Sequence, residues 1–311
     1  MRNDIFFVNL QMIYIVFMKK NRNIFVISVL SILFLASCGE FNNIVKSADY
    51  LYKYEAAKQY YADGKYSRAV VLLQDVISVL KGTDKGEESL YLLGISAYKA
   101  KDYESAANFL KKYYETYTNG QYTQDARFYN AMALYKNTPE PKLDQTETYE
   151  AVTAFQNMLE IYPQCVYAKE AQDMIFKLQD KLVEKEYLSA KTYFDLGSYF
   201  GNCNFGGNNY QACIITAENA MRDYPYSKRR EDFAIMLLRA KYLLATHSIE
   251  SKKRERLDAA VEEYYAFANE FPESRYLGEA RDIFEKARKK DATETIKEEK
   301  ALKKSQKKTK N

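Results

Sequence analysis

A stretch of this chain repeats itself at an interval of 37 residues, and that regularity limits the fold more than any other feature. Tyr91 to Ala106 reads Tyr-Leu-Leu-Gly-Ile-Ser-Ala-Tyr-Lys-Ala-Lys-Asp-Tyr-Glu-Ser-Ala. Thirty-seven positions earlier stand Tyr54 for Tyr91, Tyr61 for Tyr98, Gly64 for Lys101, Tyr66 for Tyr103, Ala69 for Ala106 and Leu73 for Leu110. Thirty-seven positions later stand Phe128, Ala131 and Tyr135 for Tyr91, Gly94 and Tyr98. A unit this short cannot bury its apolar face alone, so the period predicts a stack of like units. Apolar residues three and four apart place each half of the unit on a helix. Only 5 Pro and 11 Gly in 311 residues leave few positions to break one, and the fold class predicted is all-α.

In the first repeat Tyr54, Ala57 and Tyr61 share a stripe, Asp63-Gly64-Lys65 turns, and Tyr66, Ala69, Leu73 and Val76 follow. Gly64 is suited to a left-handed cap, while the second repeat turns at Lys101-Asp102 without Gly. Three more hairpins follow. Phe128, Ala131 and Tyr135 lead through Asn137-Thr138-Pro139-Glu140-Pro141 to Ala151, Phe155 and Tyr162-Pro163. Tyr187, Ala190, Tyr193 and Phe194 lead through a Gly- and Asn-rich loop to Cys213, Ala217, Ala220 and Tyr224-Pro225. Leu238 and Tyr242 lead through a charged loop to Ala260, Tyr264 and Phe271-Pro272. Each Pro is expected to end a second helix. The small positions stand 12 apart in the first two repeats (Ala57 to Ala69, Gly94 to Ala106) and 20, 23 and 22 apart in the last three. Those insertions fall at the same turn and are expected to project from one edge.

The pattern resembles the tetratricopeptide repeat, with Gly94 and Ala106 on the small positions that let two helices approach and Leu93 on the large one before Gly94. Leu90 stands where that family usually has Trp, and Lys81 and Thr118 stand where it has a terminal Pro. The resemblance implies a right-handed α-solenoid of about five hairpins over residues 48–288.

Lys19, Lys20 and Arg22 precede an apolar run, Ile24 to Leu35, and then Leu35-Ala36-Ser37-Cys38. A charged start, a short apolar core and small residues before a Cys describe a secretory signal over residues 1–37, with Met18 as a second candidate start. The four residues resemble a bacterial lipobox, which implies cleavage before Cys38 and a covalent N-acyl and S-diacylglycerol lipid on it. Three acyl chains give practically permanent membrane anchoring, and residues 38–47 would be the tether. The net charge of +4 is the sum of +3 in residues 1–37, +5 in residues 289–311 and −4 between them. The body thus shows no basic face, which argues against nucleic acid as a partner. Beyond Ile283 the chain turns Lys- and Glu-rich and is expected to be a frayed helix running into a disordered tail over residues 289–311.

Nothing assembles into catalytic chemistry, and no enzyme is expected. His247 is the one His and has no nucleophile motif around it. Gly201 to Gly207 has the glycines of a phosphate loop but lacks its Lys and Ser/Thr, so it is taken as a surface loop. Cys165, Cys203 and Cys213 have no metal-ligand spacing, so neither a metal nor a further cofactor is expected. Cys213 sits at a small helical position and is expected to be a buried free thiol; a bridge to Cys203 is the alternative.

Two aromatic columns carry the strongest binding signal: Tyr54, Tyr91, Phe128 and Tyr187 at one repeat position, and Tyr61, Tyr98, Tyr135 and Phe194 at another. In the tetratricopeptide family such positions face a concave groove that holds peptide segments, and Tyr suits it through large area and few rotamers. The same spacing equally describes rings that pack one repeat against the next. Glu186-Tyr187-Leu188-Ser189-Ala190-Lys191-Thr192-Tyr193, then Ala220-Met221-Arg222-Asp223-Tyr224-Pro225-Tyr226-Ser227, resembles the fourth repeat of the BamD family of outer-membrane β-barrel assembly lipoproteins. Tyr162-Pro163-Gln164-Cys165 and Phe271-Pro272-Glu273-Ser274 resemble that family's repeat endings. The resemblance implies a lipid-anchored adaptor at the periplasmic face of the outer membrane. It would dock on the barrel-forming assembly subunit through its C-terminal repeats and receive segments of unfolded outer-membrane proteins in its N-terminal groove. A helical-repeat nutrient-uptake lipoprotein that binds glycans at the cell surface is the alternative, although only Glu40 supplies an acid directly after Cys38. A peptidoglycan-active enzyme would need a cleft carboxylate or nucleophile that the pattern does not offer.

Overall fold

The computed structural model describes residues 40–197 and 208–308. Cys38, the signal sequence in 1–37, Cys203 and the Gly201 to Gly207 loop lie outside the described residues. After a helical turn at 40–46 come eleven helices: α1 (Tyr50–Ala62), α2 (Tyr66–Val79), α3 (Asp84–Lys99), α4 (Tyr103–Thr116), α5 (Thr123–Asn137), α6 (Thr146–Ile161), α7 (Ala168–Leu196), α8 (Asn209–Asp223), α9 (Arg230–Thr246), α10 (Glu250–Glu270) and α11 (Leu277–Lys308). No strand occurs among the described residues, and none of their helices is long and apolar enough to cross a membrane.

The chain forms two compact units. The N-terminal unit contains α1 to α5 together with Ile161–Cys165, and the C-terminal unit contains Thr138–Glu160 and the chain from Val166 onward. Within each, helices adjacent in sequence pack side by side (α1 to α5 in one, α7 to α11 in the other), which is how an α-solenoid is built.

The repeat spacing becomes packing in the N-terminal unit. Ala57, Ala69, Leu73, Leu93, Ala106 and Leu110 are fully buried, and each such Leu contributes about 1.5–3 kcal/mol by leaving water. Gly94 shows why the small position is small. A Cβ there would lie 2.6 Å from Leu110 Cγ and 3.2 Å from the Leu110 backbone nitrogen, so α3 and α4 touch at that point. Gly64 takes φ +74° as the α1 stop, and Lys101, its counterpart 37 residues on, takes φ 65° in the same turn. Asp49, Thr83 and Asp102 cap α1, α3 and α4 by accepting amide hydrogen bonds in the first turn.

In the C-terminal unit the Pro endings act as expected: α8 and α10 stop at Asp223 and Glu270, one residue before Tyr224-Pro225 and Phe271-Pro272. The Ser two positions after each Pro opens the next helix, because Ser227 Oγ and Ser274 Oγ accept from the amides of Arg229 (3.1 Å) and Tyr276 (3.0 Å). Buried Gln145 closes the third repeat's insertion by donating to the carbonyls of Glu140 and Leu143.

Two expectations are corrected. The charged loop of repeat five is helix: only His247 to Ile249 separate α9 from α10. Lys252–Glu255 and Lys253–Glu250 pair along α10, and Leu257 is fully buried, so the added residues lengthen the hairpin arms instead of forming a loop. The frayed helix expected to give way to a disordered tail from residue 289 continues instead as α11 to Lys308. Glu, Lys, Ala, Leu and Gln are strong helix formers, and they extend a helix already anchored by buried Ala280, Ile283 and Ala287.

Candidate functional site

A cleft of about 440 Å³ opens in the N-terminal unit between α1, the start of α3 and the α4–α5 loop. Tyr54 forms part of its wall from α1, Asp84, Lys85, Glu87 and Glu88 come from the first turns of α3, and Asn119 to Tyr122 come from the loop. Tyr54 is only 2% exposed and donates its hydroxyl hydrogen to Glu88. Lys58 reaches the same carboxylate at 2.9 Å, and Lys85 pairs with Glu55 at 3.6 Å. Glu87 holds the loop: it accepts from Tyr113 Oη at 2.6 Å and from the Gln121 amide at 2.9 Å. Tyr113 Oη in turn accepts from the Tyr122 amide at 3.1 Å.

These contacts set the ionisation of the cleft. Burial pushes the Tyr54 hydroxyl up, and the bond to Glu88 pushes it further. Burial pushes Glu88 up as well, but the hydrogen bonds from Tyr54 and Lys58 outweigh it and hold the carboxyl below its ordinary value. Hydrogen bonding to Glu88 raises Lys58. Burial first, and then Glu87, raises Tyr113 strongly. Near neutrality the cleft therefore presents fixed carboxylates, ammonium groups and neutral phenols side by side. Such a surface can hydrogen-bond an extended backbone and hold an aromatic or charged side chain.

The structure separates the residues of the two aromatic columns. Tyr54 and Phe128 are buried, at 2% and 3% exposure, and of the two only Tyr54 borders the cleft. Phe128 packs edge-on against Tyr129 at 5.4 Å. Tyr61, Tyr91, Tyr98, Tyr135, Tyr187 and Phe194 are half-buried. Tyr91 stacks on Tyr122 at 4.3 Å with 5° between planes and meets Tyr113 edge-on at 5.8 Å. Tyr98 meets Tyr103 and Tyr129 edge-on. Tyr61 against Tyr66 and Tyr98 against Tyr103 have the same geometry, 5.6 Å and 63°, one period apart. Tyr135 has the Lys136 ammonium 5.5 Å from its ring centre. Tyr187 lies under the Arg229 guanidinium at 4.3 Å and against Phe233, and Phe194 lies against Tyr210. Packing between helices accounts for most of this aromatic surface, and the cleft takes only Tyr54 from the two columns.

Sequence reasoning missed Lys58, Lys85, Glu87, Glu88 and Tyr122. A signal for two of them was present. Tyr54 and Tyr91 are one period apart, and so are Lys85 and Tyr122. Lys85 lies over the Tyr54 ring at 5.3 Å, while Tyr122 covers Tyr91 in the same way. The position 31 residues after the column ring is thus its cover, a cation in one repeat and a ring in the next.

Of the remaining candidates, His247 is exposed at the end of α9, with Nδ1 2.8 Å from the Leu243 carbonyl. Cys213 is a buried free thiol that burial pushes up to about 12. Among the described residues no group of three His, Cys, Asp or Glu converges as metal ligands would.

Residues 47–204 match the YfiO family, described as outer membrane lipoprotein. A protein of Aquifex aeolicus named as a BamD outer membrane protein assembly factor is 26% identical over 212 residues, which is 68% of this chain and 65% of that protein. The outer membrane protein assembly factor BamD of Caulobacter vibrioides is 22% identical over 134 residues, 43% of this chain and 44% of the relative. The match therefore spans less than two thirds of the length of either. Among solved structures, a tetratricopeptide protein of Thermus thermophilus aligns at TM-score 0.30 and 14% identity, over 77% of this chain and 98% of that one. Tetratricopeptide-like repeats of a kinesin light chain from Podospora anserina align at 0.29 and 14%, over 71% and 95%.

Proposed function

Because the chain belongs to the YfiO family of outer membrane lipoproteins, we propose that it is a scaffold for the assembly of outer-membrane β-barrel proteins. It is tethered at the periplasmic face by lipid on Cys38. The N-terminal cleft receives segments of unfolded outer-membrane proteins, and the C-terminal unit docks on the barrel-forming subunit. The observation that carries this reading is the family match over residues 47–204, which covers the whole N-terminal cleft. The cleft supports it chemically: an extended segment can lie against Tyr122 while its polar groups meet Glu87, Glu88, Lys58 and Lys85.

Affinity purification of the full-length protein from detergent-solubilised membranes tests the scaffold role. Co-purification of the barrel-forming subunit is the expected result, and recovery of a TonB-type transporter instead would favour the glycan-uptake alternative. Crosslinking then tests the cleft. A photoreactive group at Gln121, which is exposed on its rim, should capture nascent outer-membrane proteins, and Lys58→Glu with Lys85→Glu should remove the adduct while leaving the subunit bound.

A further inference from the structure

The C-terminal helix has a charge pattern that the assembly role does not use. Between Lys289 and Lys308 stand eight Lys and four acids, all on α11. At 100° per residue the eight Lys positions fall within an arc of about 140°, and all four acids, Asp291, Glu294, Glu298 and Glu299, fall outside it on the other side. The strip of Lys positions is about 30 Å long. Its centre lies roughly 110° round the helix from the line of Ala280, Ile283 and Ala287, the buried positions that attach α11 to its unit. Lys289, Lys290, Ala292, Thr293 and Ile296 are all exposed. Ile296 is 53% exposed and falls at a position within the Lys arc.

We propose that this face of α11 binds anionic phospholipid headgroups and lays the helix along the surface of the membrane. A helix laced with its own ion pairs alternates its signs along each face, because each Lys is then matched locally by an acid. Here the signs are segregated, which produces a straight strip of one sign suited to a flat surface of the other. The rest of the chain from Cys38 to Arg288 carries −4, so the concentrated positive charge of the chain after Cys38 lies on this helix. The family match places a membrane within reach, and Ile296 supplies a single apolar contact in the middle of the strip. Lipid on Cys38 and the strip of α11 would then be two separate membrane contacts of one chain.

The test uses the full-length lipidated protein reconstituted into two kinds of vesicle, phosphatidylcholine alone and phosphatidylcholine with one-third phosphatidylglycerol. Trypsin cleavage is followed by mass spectrometry. Cleavage after Lys297, Lys300 and Lys304 should slow by about tenfold or more on the anionic vesicles, since each Lys near such a surface interacts favourably with it. It should recover in molar salt, where the screening length falls to about 3 Å. Cleavage at Lys65, in the exposed α1–α2 turn, should be the same on both. A variant with Lys289→Gln, Lys290→Gln, Lys307→Gln and Lys308→Gln, which keeps the reporting sites, should lose most of the protection while its circular dichroism stays unchanged. Equal cleavage on the two vesicles overturns the proposal. Protection on both vesicles that grows with protein density also overturns it, and would assign the strip to a second copy of the chain.

Discussion

The two units use the same hairpin but fasten successive hairpins with different side chains. In the N-terminal unit, α1 and α3 are joined by Tyr54 and Lys58 on Glu88, α3 reaches the next turn through Glu87 and Tyr113, and rings stack in register. In the C-terminal unit, guanidinium groups take the same part. Arg229 grips Glu184 with two bonds of 2.9 and 3.0 Å, Arg239 grips Glu279 at 2.7 and 2.6 Å, and Arg230 reaches Glu270. A tyrosine ring contributes mostly buried area, which salt does not touch. A half-exposed Arg–carboxylate fork contributes direction and register but little net energy, and salt screens it. Both units rest on buried cores; over that core the N-terminal unit adds stacked rings, which tolerate ionic strength, and the C-terminal unit adds a guanidinium ladder that sets alignment.

The largest effect should come from removing the rings. Tyr91→Ala with Tyr98→Ala is expected to cost about 4 kcal/mol, seen as loss of amide protection confined to α1–α5 in native-state hydrogen exchange. Retained protection would mean that the stacks do not hold the unit together. Gly94→Val should cost about 3 kcal/mol in urea titration, because its Cβ would fall on Leu110. Gly278, also in a helix, has nothing within 4 Å of a Cβ, so Gly278→Val should be nearly silent.

Tyr113→Phe should cost about 1.5 kcal/mol by leaving Glu87 and the Tyr122 amide short of a partner. It also has a pH signature. The folded-state pKa of Tyr113 is raised above its ordinary value of 10.0, so its contribution is complete below pH 10 and declines as pH rises above that. The gap between wild type and Tyr113→Phe should narrow in strong alkali, and a gap independent of pH would refute the assignment.

In the C-terminal unit, Arg239→Met should cost about 0.5 kcal/mol at low salt and nothing measurable at high salt. Tyr91→Ala should be equally damaging at both, so a salt-sensitive N-terminal unit would break the contrast. Smallest of all, Lys101→Gly should raise Tm slightly, because it relieves a left-handed Lys at the position that Gly64 occupies one period earlier. Gly64→Ala should lower stability by about 1 kcal/mol, although nothing crowds its Cβ.

Much of the hairpin geometry was legible before any coordinates. The period placed Ala57, Gly94 and Ala106 at helix contacts, Gly64 at a left-handed turn and the Pro endings just beyond α8 and α10, because each of these residues has a local backbone or volume requirement. The cleft was not legible, since Glu87, Glu88 and Lys58 are ordinary charges on a helix surface until α1, α3 and the α4–α5 loop come together around Tyr54. The aromatic columns were legible as columns but not as core. Helical spacing shows that Tyr54, Tyr91 and Phe128 share a face, and only the neighbouring helices show how much of that face is covered.

The amino-acid sequence by itself determined the repeating unit and the all-helical class, because both depend on residue type at fixed spacing along the chain. The tertiary structure alone decided that the Tyr91 ring is spent on Tyr122 and that Lys85 covers Tyr54. It also decided that the charged stretch before Leu257 is helix instead of loop and that α11 runs on to Lys308. Those outcomes turn on which surfaces meet and what water is excluded between them, and a ring or a carboxylate acquires its role only from the neighbours that packing provides.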